Sequence, residues 1–225
     1  MARPAHSRRA PGRVPRVRLG TRGRPEESRA AILNAAVAEF AEHGIAGART
    51  DAIARAAHVN KALLYYYFKD KDALYEAVLD HVFSGLRERV MPVLESSLPP
   101  REKVLQYLGT YFDYIATNPR FPRVVQGEWV RSGSGTMRMQ RVAREYFRPI
   151  FEKLAGVLRE GIQAGEFRAL NPMDFLPSMA AVIVFYFTSA PLMKVLMKVD
   201  PLSVERIRER RAFVLDFISA ALFVK

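Results

Sequence analysis

The chain of 225 residues contains no cysteine, which excludes disulfide frameworks, thiolate zinc sites and cysteine nucleophiles. Its four histidines, His6, His43, His58 and His81, share no metal-ligand spacing, and no Ser/His/Asp or paired-carboxylate arrangement comes with a supporting motif. Neither catalysis nor a metal or other cofactor is expected. Strand-like alternation and internal repeats are also missing. Acidic residues are absent from the first 25 positions, which hold eight arginines, so this segment supplies +8 of the formal net charge of +12. No apolar run of signal-peptide length follows those arginines, and the expected location is cytoplasmic. Long apolar runs are scarce. The one charge-free stretch, 177–193, is of minimal length for a membrane span and contains Thr188, Ser189 and Pro191. It reads as a helix buried in a core or an interface, with no membrane partner.

What is present is a globular composition, 49% hydrophobic and 26% charged, behind a basic arm over 1–24 that is rich in Arg, Pro and Gly and reads as disordered. Such charge asymmetry suits a protein that grips a polyanion with one end. Helical patterning begins at Pro25, where Glu26 and Glu27 complement a helix dipole and Ile32, Leu33, Ala36, Val37 and Phe40 recur at helical spacing up to a stop at Gly44. Thr50 is the expected N-cap of a short second helix, Asn60 of a third over Lys61 to Tyr67, and Asp70 of a fourth that ends near Pro92. About five further helices follow Pro99-Pro100, so the expected fold is all-α.

Two short helices around the break His58-Val59-Asn60 form a helix-turn-helix, in which the second helix presents its N-terminal residues to base edges in the major groove. Leu64 and Phe68, four apart, face Ile53 and Ala57 in this reading. That leaves Lys61, Ala62, Leu63, Tyr65, Tyr66 and Tyr67 to groove, phosphates and support. Phenolic hydroxyls donate to phosphate oxygens, and Lys69 and Lys71 add positive charge at the next helix start. The run Leu64-Tyr65-Tyr66-Tyr67-Phe68-Lys69-Asp70-Lys71-Asp72-Ala73-Leu74 strongly resembles the N-terminal signature of the TetR family of bacterial repressors, and Arg159 to Arg168 is similar to a segment near the end of that family's long central helix. The resemblance implies a homodimer of about nine helices per subunit that binds double-stranded DNA through its third helix. It also implies a small-molecule effector pocket in a C-terminal domain. By position it makes Thr50, Lys61, Ala62, Leu63, Tyr65, Tyr66, Tyr67 and Lys71 the DNA-facing set. The family often has Gly where His58 stands, so His58 is expected in a left-handed conformation. Gly-Thr is common in the family where Ala62-Leu63 stand, so no operator sequence transfers.

The expected division is a basic arm over 1–24, a helix-turn-helix domain over 25–71 and a helical ligand-binding and dimerisation domain over 72–225. Within the arm, Arg22-Gly23-Arg24-Pro25 resembles the core of an AT-hook, whose arginines lie in a narrow A·T minor groove; a merely basic, nonspecific tail is the other reading. Tyr107, Tyr111, Phe112, Tyr114, Phe121, Trp129, Phe147 and Phe151 are candidates to line an apolar ligand pocket, with Tyr107, Tyr111, Trp129, Phe147 and Phe151 foremost, against the plainer reading of core aromatics. Glu128 and the arginines 131, 141, 144 and 148 read as a solvated helix face, with a ligand's polar group as the alternative. Val182 and Phe185, with Val214 and Ile218 of the last helix, are the expected dimer interface. The functional expectation is a ligand-responsive repressor on a palindromic operator. The alternative is a nonspecific architectural DNA-binding protein that uses the arm.

Overall fold

The structure is a computed structural model that describes residues 25–132 and 137–224, without the side chains of 131 and 132. The basic arm, with Arg22 and Arg24, lies outside the described residues. Among those residues there is no β-sheet, only an isolated bridge between Phe167 and Phe223. Helix α1 (Pro25–Gly47) starts at Pro25 with Glu26 and Glu27 in its first turn, buries Ile32, Leu33, Ala36, Val37 and Phe40, and breaks at Gly44, whose φ of 61° suits a residue without a Cβ. Helices α2 (Thr50–Ala56), α3 (Lys61–Tyr67) and α4 (Lys71–Leu94) follow. As expected, Asn60 and Asp70 cap the last two: their side chains accept from the backbone N–H of Leu63 at 2.7 Å and of Ala73 at 2.8 Å. Thr50 is not a cap. It is the first residue of α2, behind Arg49, which makes no side-chain cap bond. Nor does Pro92 end α4, which continues to Leu94; the proline is exposed, where the carbonyl it deprives of a donor can turn to water.

Seven more helices follow among the described residues: α5 (Pro100–Thr117), α6 (Phe121–Ser132), α7 (Met137–Val142), α8 (Arg148–Gln163), α9 (Pro172–Thr188), α10 (Ala190–Met197) and α11 (Val204–Leu222). Sequence pattern suggested five here. The apolar run divides into α9 and α10 at a bend of 65°, because Pro191 cannot continue the ladder of α9 and instead opens a new helix. A π-helical turn, Ala143–Phe147, joins α7 to α8. Helix α8 ends at Gln163, and two residues on Gly165, with φ 74°, lets the chain fold back so that Phe167 lies against Gly161, where a Cβ would collide with its ring.

Helix α1 packs on α2, α3, α4 and α6; α4 packs on α5 and α8; α5 packs on α8, α9 and α11. One continuous apolar core therefore runs from Ile32, Phe40 and Leu64 through Leu74 and Leu79 to Leu108, Phe112 and Phe187. Each such side chain is worth about 1.5–3 kcal/mol when fully buried. No single described helix is long and apolar enough to cross a membrane, although the bent pair α9 and α10 passes by length and composition. Met179, Ile183 and Phe187 of α9 are buried in the core.

One expectation about α11 needs correction. Val214 and Ile218 are only 1% and 3% exposed, so they belong to the subunit's own core and not to a face open to another chain. Their helical period leaves Phe213 and Phe217 outside, stacked with ring centroids 5.8 Å apart. Val182 of α9 is half-buried, and its carbonyl accepts from Arg210 at 2.8 Å. Phe185 is exposed.

Candidate DNA-binding face and effector cavity

Helices α2 and α3 are joined by a tight turn in which His58 takes φ 55°, the left-handed conformation anticipated for it. Leu64 and Phe68 are buried together with Ile53, Ala54 and Ala57. This anchoring turns the opposite side of α3 outward: Lys61, Ala62, Tyr65 and Tyr66 are exposed, whereas Leu63 and Tyr67 are half-buried. Tyr66 is 80% exposed and meets Tyr67 edge-on at 5.3 Å. A ring so exposed adds little to the fold and is free to meet a partner.

The other members of the set have roles that the sequence did not disclose. The Thr50 hydroxyl lies 3.1 Å from that of Tyr65, tying the start of α2 to the outer face of α3. Lys61 pairs with Asp51 at 2.8 Å, and this contact lowers the Asp51 pKa and raises that of Lys61. Both groups are exposed, so the pair is weak and exchangeable for a phosphate. Lys71 departs from its expected role. Its ammonium donates to the carbonyls of Ala46 and Ala48, each at 3.3 Å, satisfying backbone acceptors left at the broken end of α1. Lys69 is exposed and is the lysine of this pair left facing solvent.

The second feature is a cavity of about 510 Å³ between α4, α5, α6, α8 and α9. Five of the eight aromatic candidates, Tyr107, Tyr111, Trp129, Phe147 and Phe151, line it, whereas Phe112, Tyr114 and Phe121 are buried in the core, and the volume lies within the ~300–1,000 Å³ usual for small-molecule sites. Reading the sequence missed the α9 wall, including Met179, Ala180 and Val184, because periodicity cannot tell a helix side facing core from one facing a void. Burial raises the Tyr107 and Tyr111 phenols far above their ordinary range, so both remain protonated.

The charged residues near the cavity point to each other. Glu128, 3% exposed, lies 3.9 Å from Arg138, which also reaches Asp72 and Glu76 of α4, both at 3.3 Å. Arg141 pairs with Asp80 at 2.7 Å, and Arg148 with Glu152 at 2.7 Å. Glu128, Arg141, Arg144 and Arg148 are all absent from the cavity wall, and the Arg131 side chain lies outside the described residues. Within this network α7 and the π turn are fastened to α4, the helix that directly follows α3. Helix α6 makes a further link: it carries the cavity residue Trp129, packs on α1, and its Val124 carbonyl accepts from Tyr75 of α4 at 3.4 Å.

Comparison with known proteins matches these two features separately. Residues 32–78 match the bacterial regulatory proteins of the tetR family, and residues 100–218 match the tetracyclin repressor-like C-terminal domain. The chain belongs to the TetR family. It is thus a DNA-binding transcriptional regulator and not an enzyme. This TetR regulator is 32% identical over 171 residues to the HTH-type transcriptional repressor SCO4008 of Streptomyces coelicolor, across 76% of this chain and 83% of that protein. It is 26% identical over 159 residues to the HTH-type transcriptional repressor NicS of Pseudomonas putida, across 71% and 73%. Among solved structures, the transcriptional regulator SCO4942 from Streptomyces coelicolor superposes with a TM-score of 0.63 at 26% identity, covering 87% of this chain and 98% of that one. In the TetR regulator the N-terminal match extends to residue 78, and α4 supplies Leu74, Tyr75 and Val78 to the shared apolar core.

Proposed function

We propose that this TetR regulator is a ligand-responsive repressor that binds a palindromic operator as a homodimer and leaves it when a small, largely apolar molecule occupies the cavity. The observation that carries the reading is the joint presence of a helix-turn-helix with a free outer face and an aromatic-lined cavity whose walls, α4 and α6, also pack on α1. Occupying the cavity displaces those walls and changes the separation of the two recognition helices, which must stay about one DNA turn apart. Repression is supported by the two relatives named above, both called repressors.

Residues 25–71 act as the DNA-binding unit and 72–225 as the effector and dimerisation unit, with α4 shared in packing between them. Thr50, Lys61, Ala62, Leu63, Tyr65, Tyr66 and Tyr67 contact DNA or support the residues that do, and Lys71 steadies the unit. Dimerisation uses the exposed stripe Met173, Pro177, Ala181 and Phe185 of α9 beside Phe213 and Phe217 of α11, which on a monomer is a costly apolar surface. The protein works in the cytoplasm, and Arg22 and Arg24 add affinity through the minor groove or by counterion release.

Sheared genomic DNA, incubated with the purified protein at physiological salt and sequenced after recovery, tests the reading. A few sharply enriched palindromes are expected, for full-length protein and for a version lacking residues 1–24. Uniform recovery that disappears with the arm would instead establish the architectural alternative. The dimer is checked by sedimentation: Phe217→Glu should yield monomers, and a wild-type protein that is monomeric at micromolar concentration would sink the paired-helix arrangement.

A further inference from the structure

We infer that the cavity takes an uncharged, mostly hydrocarbon ligand whose one oxygen acceptor is held by the hydroxyls of Tyr107 and Tyr111. The inference rests on reading the cavity as the effector site and adds the ligand's charge and its polar anchor.

Among the described residues the wall contains no acid and no base. Among the described charges nearby, Glu128 is engaged with Arg138, Arg141 with Asp80 and Glu145, and Arg148 with Glu152, while Arg144 is exposed and absent from the wall. A carboxylate or ammonium entering this space gives up its hydration and meets no countercharge, which disfavours both. Aromatic faces attract a cation, but here without a carboxylate to complete its neutralisation.

The two tyrosines supply the anchor. Four residues apart on α5, they project from the same helix face, with ring centroids 6.0 Å apart, and are only 6% and 9% exposed. Neither hydroxyl has a hydrogen-bond partner among the described residues. Elsewhere this chain does provide acceptors for its buried or half-buried phenols: Tyr114 donates to the Val82 carbonyl at 2.6 Å, Tyr186 to that of Pro201 at 2.6 Å, and Tyr146 to Asp80 at 3.0 Å. Among the described residues Tyr107 and Tyr111, with the half-buried Tyr67, are the exceptions, and of these Tyr107 and Tyr111 line the cavity. Both side chains line the cavity, so an acceptor brought by a ligand gains a hydrogen bond from each hydroxyl. The other polar lining residues do not compete as anchors: the Thr188 hydroxyl already donates to the Phe185 carbonyl at 3.2 Å, and Gln126 is exposed.

The single tryptophan, Trp129, lines the cavity and reports occupancy by fluorescence. Two hydrocarbon skeletons are each presented to the full-length protein in three forms: methyl octyl ketone, decanoate and decylammonium for the chain, and decalone, decalin carboxylate and decalin ammonium for the ring. On at least one skeleton the ketone should bind about tenfold more tightly than both ions, and Tyr107→Phe with Tyr111→Phe should remove about tenfold of that affinity, the scale of a lost hydrogen bond. Equal or tighter binding by an ion on both skeletons overturns the inference, as does silence of Trp129 towards both ketones, or ketone affinity unchanged in a double variant that melts like wild type. The charge series uses wild-type protein, so it decides the question even if the double variant fails to fold. Release of a genomically selected DNA fragment is measured in parallel. Selective ketone binding without release supports this inference and defeats the effector reading; release by an ion as readily as by a ketone does the reverse.

Discussion

Arg141 of α7 and Asp80 of α4 are joined by an ion pair of 2.7 Å, and the Tyr146 hydroxyl donates to the same carboxylate oxygen at 3.0 Å. Phe147, the next residue in the π turn, lines the cavity. A ligand that moves Phe147 therefore pulls on a contact with the helix that follows the DNA-binding unit. Replacing Asp80 by Ala removes both contacts and leaves Arg141 with Glu145. Because the pair is partly exposed, a stability loss of about 1–2 kcal/mol is expected. The decisive readout is fluorescence anisotropy on operator DNA: ligand-free affinity should change little, while the ligand-induced loss of affinity should shrink at least severalfold. An undiminished ligand response would show that α6 carries the coupling without this link.

Tyr66 separates DNA binding from folding. Its side chain is largely exposed, so Tyr66→Ala should leave the melting temperature within about a degree, as surface changes usually do. Operator affinity should drop about tenfold, the scale of one lost groove or phosphate contact. Tyr65→Phe tests the Thr50 hydroxyl contact in the same assay and should cost less, because the ring stays in place.

At the turn, His58 holds φ 55°, where a side chain other than glycine is strained. His58→Gly should raise stability by up to about 1 kcal/mol in urea denaturation. His58→Val, which is β-branched, should lower it by about 1–2 kcal/mol. A valine variant as stable as the glycine variant would mean that the turn relaxes to another conformation.

The two cavity tyrosines make stability depend on alkaline pH. An unfolded tyrosine ionises near the ordinary value of 10.0, whereas burial keeps the folded phenols protonated well above it. Above about pH 10 the unfolded chain loses protons first. Their contribution is thus complete below that pH and falls as pH rises, by up to about 1.4 kcal/mol per unit for each group. Denaturation midpoints measured at about pH 9 and about pH 11 should fall further for wild type than for the Tyr107→Phe, Tyr111→Phe variant. Equal falls would place the alkaline sensitivity elsewhere.

Local chemistry made the helix-turn-helix legible: the caps at Asn60 and Asp70, the break at Gly44, the inward pair Leu64 and Phe68 and the left-handed His58 each follow from short-range sterics and hydrogen bonding. The all-α fold was readable for the same reason, since a period near 3.6 is written into every segment. Tertiary structure decided which side of each helix meets what. Val214 and Phe213 are adjacent apolar residues, yet one is core and the other surface, because the turn of the helix separates them by about 100° and only packing against α5 and α9 chooses the inner side. Likewise Lys71 was legible as a cation near DNA, but two orphaned carbonyls at the end of α1 claim its ammonium, and those are brought near only when α4 folds against α1. Residue order alone was enough for an all-helical fold, the recognition element and the aromatic residues available to a pocket, though not for the division of the later segments into seven helices. Only the three-dimensional fold left a void among those aromatics and withheld a partner from two of their hydroxyls, because a cavity is a property of surfaces that no single segment possesses.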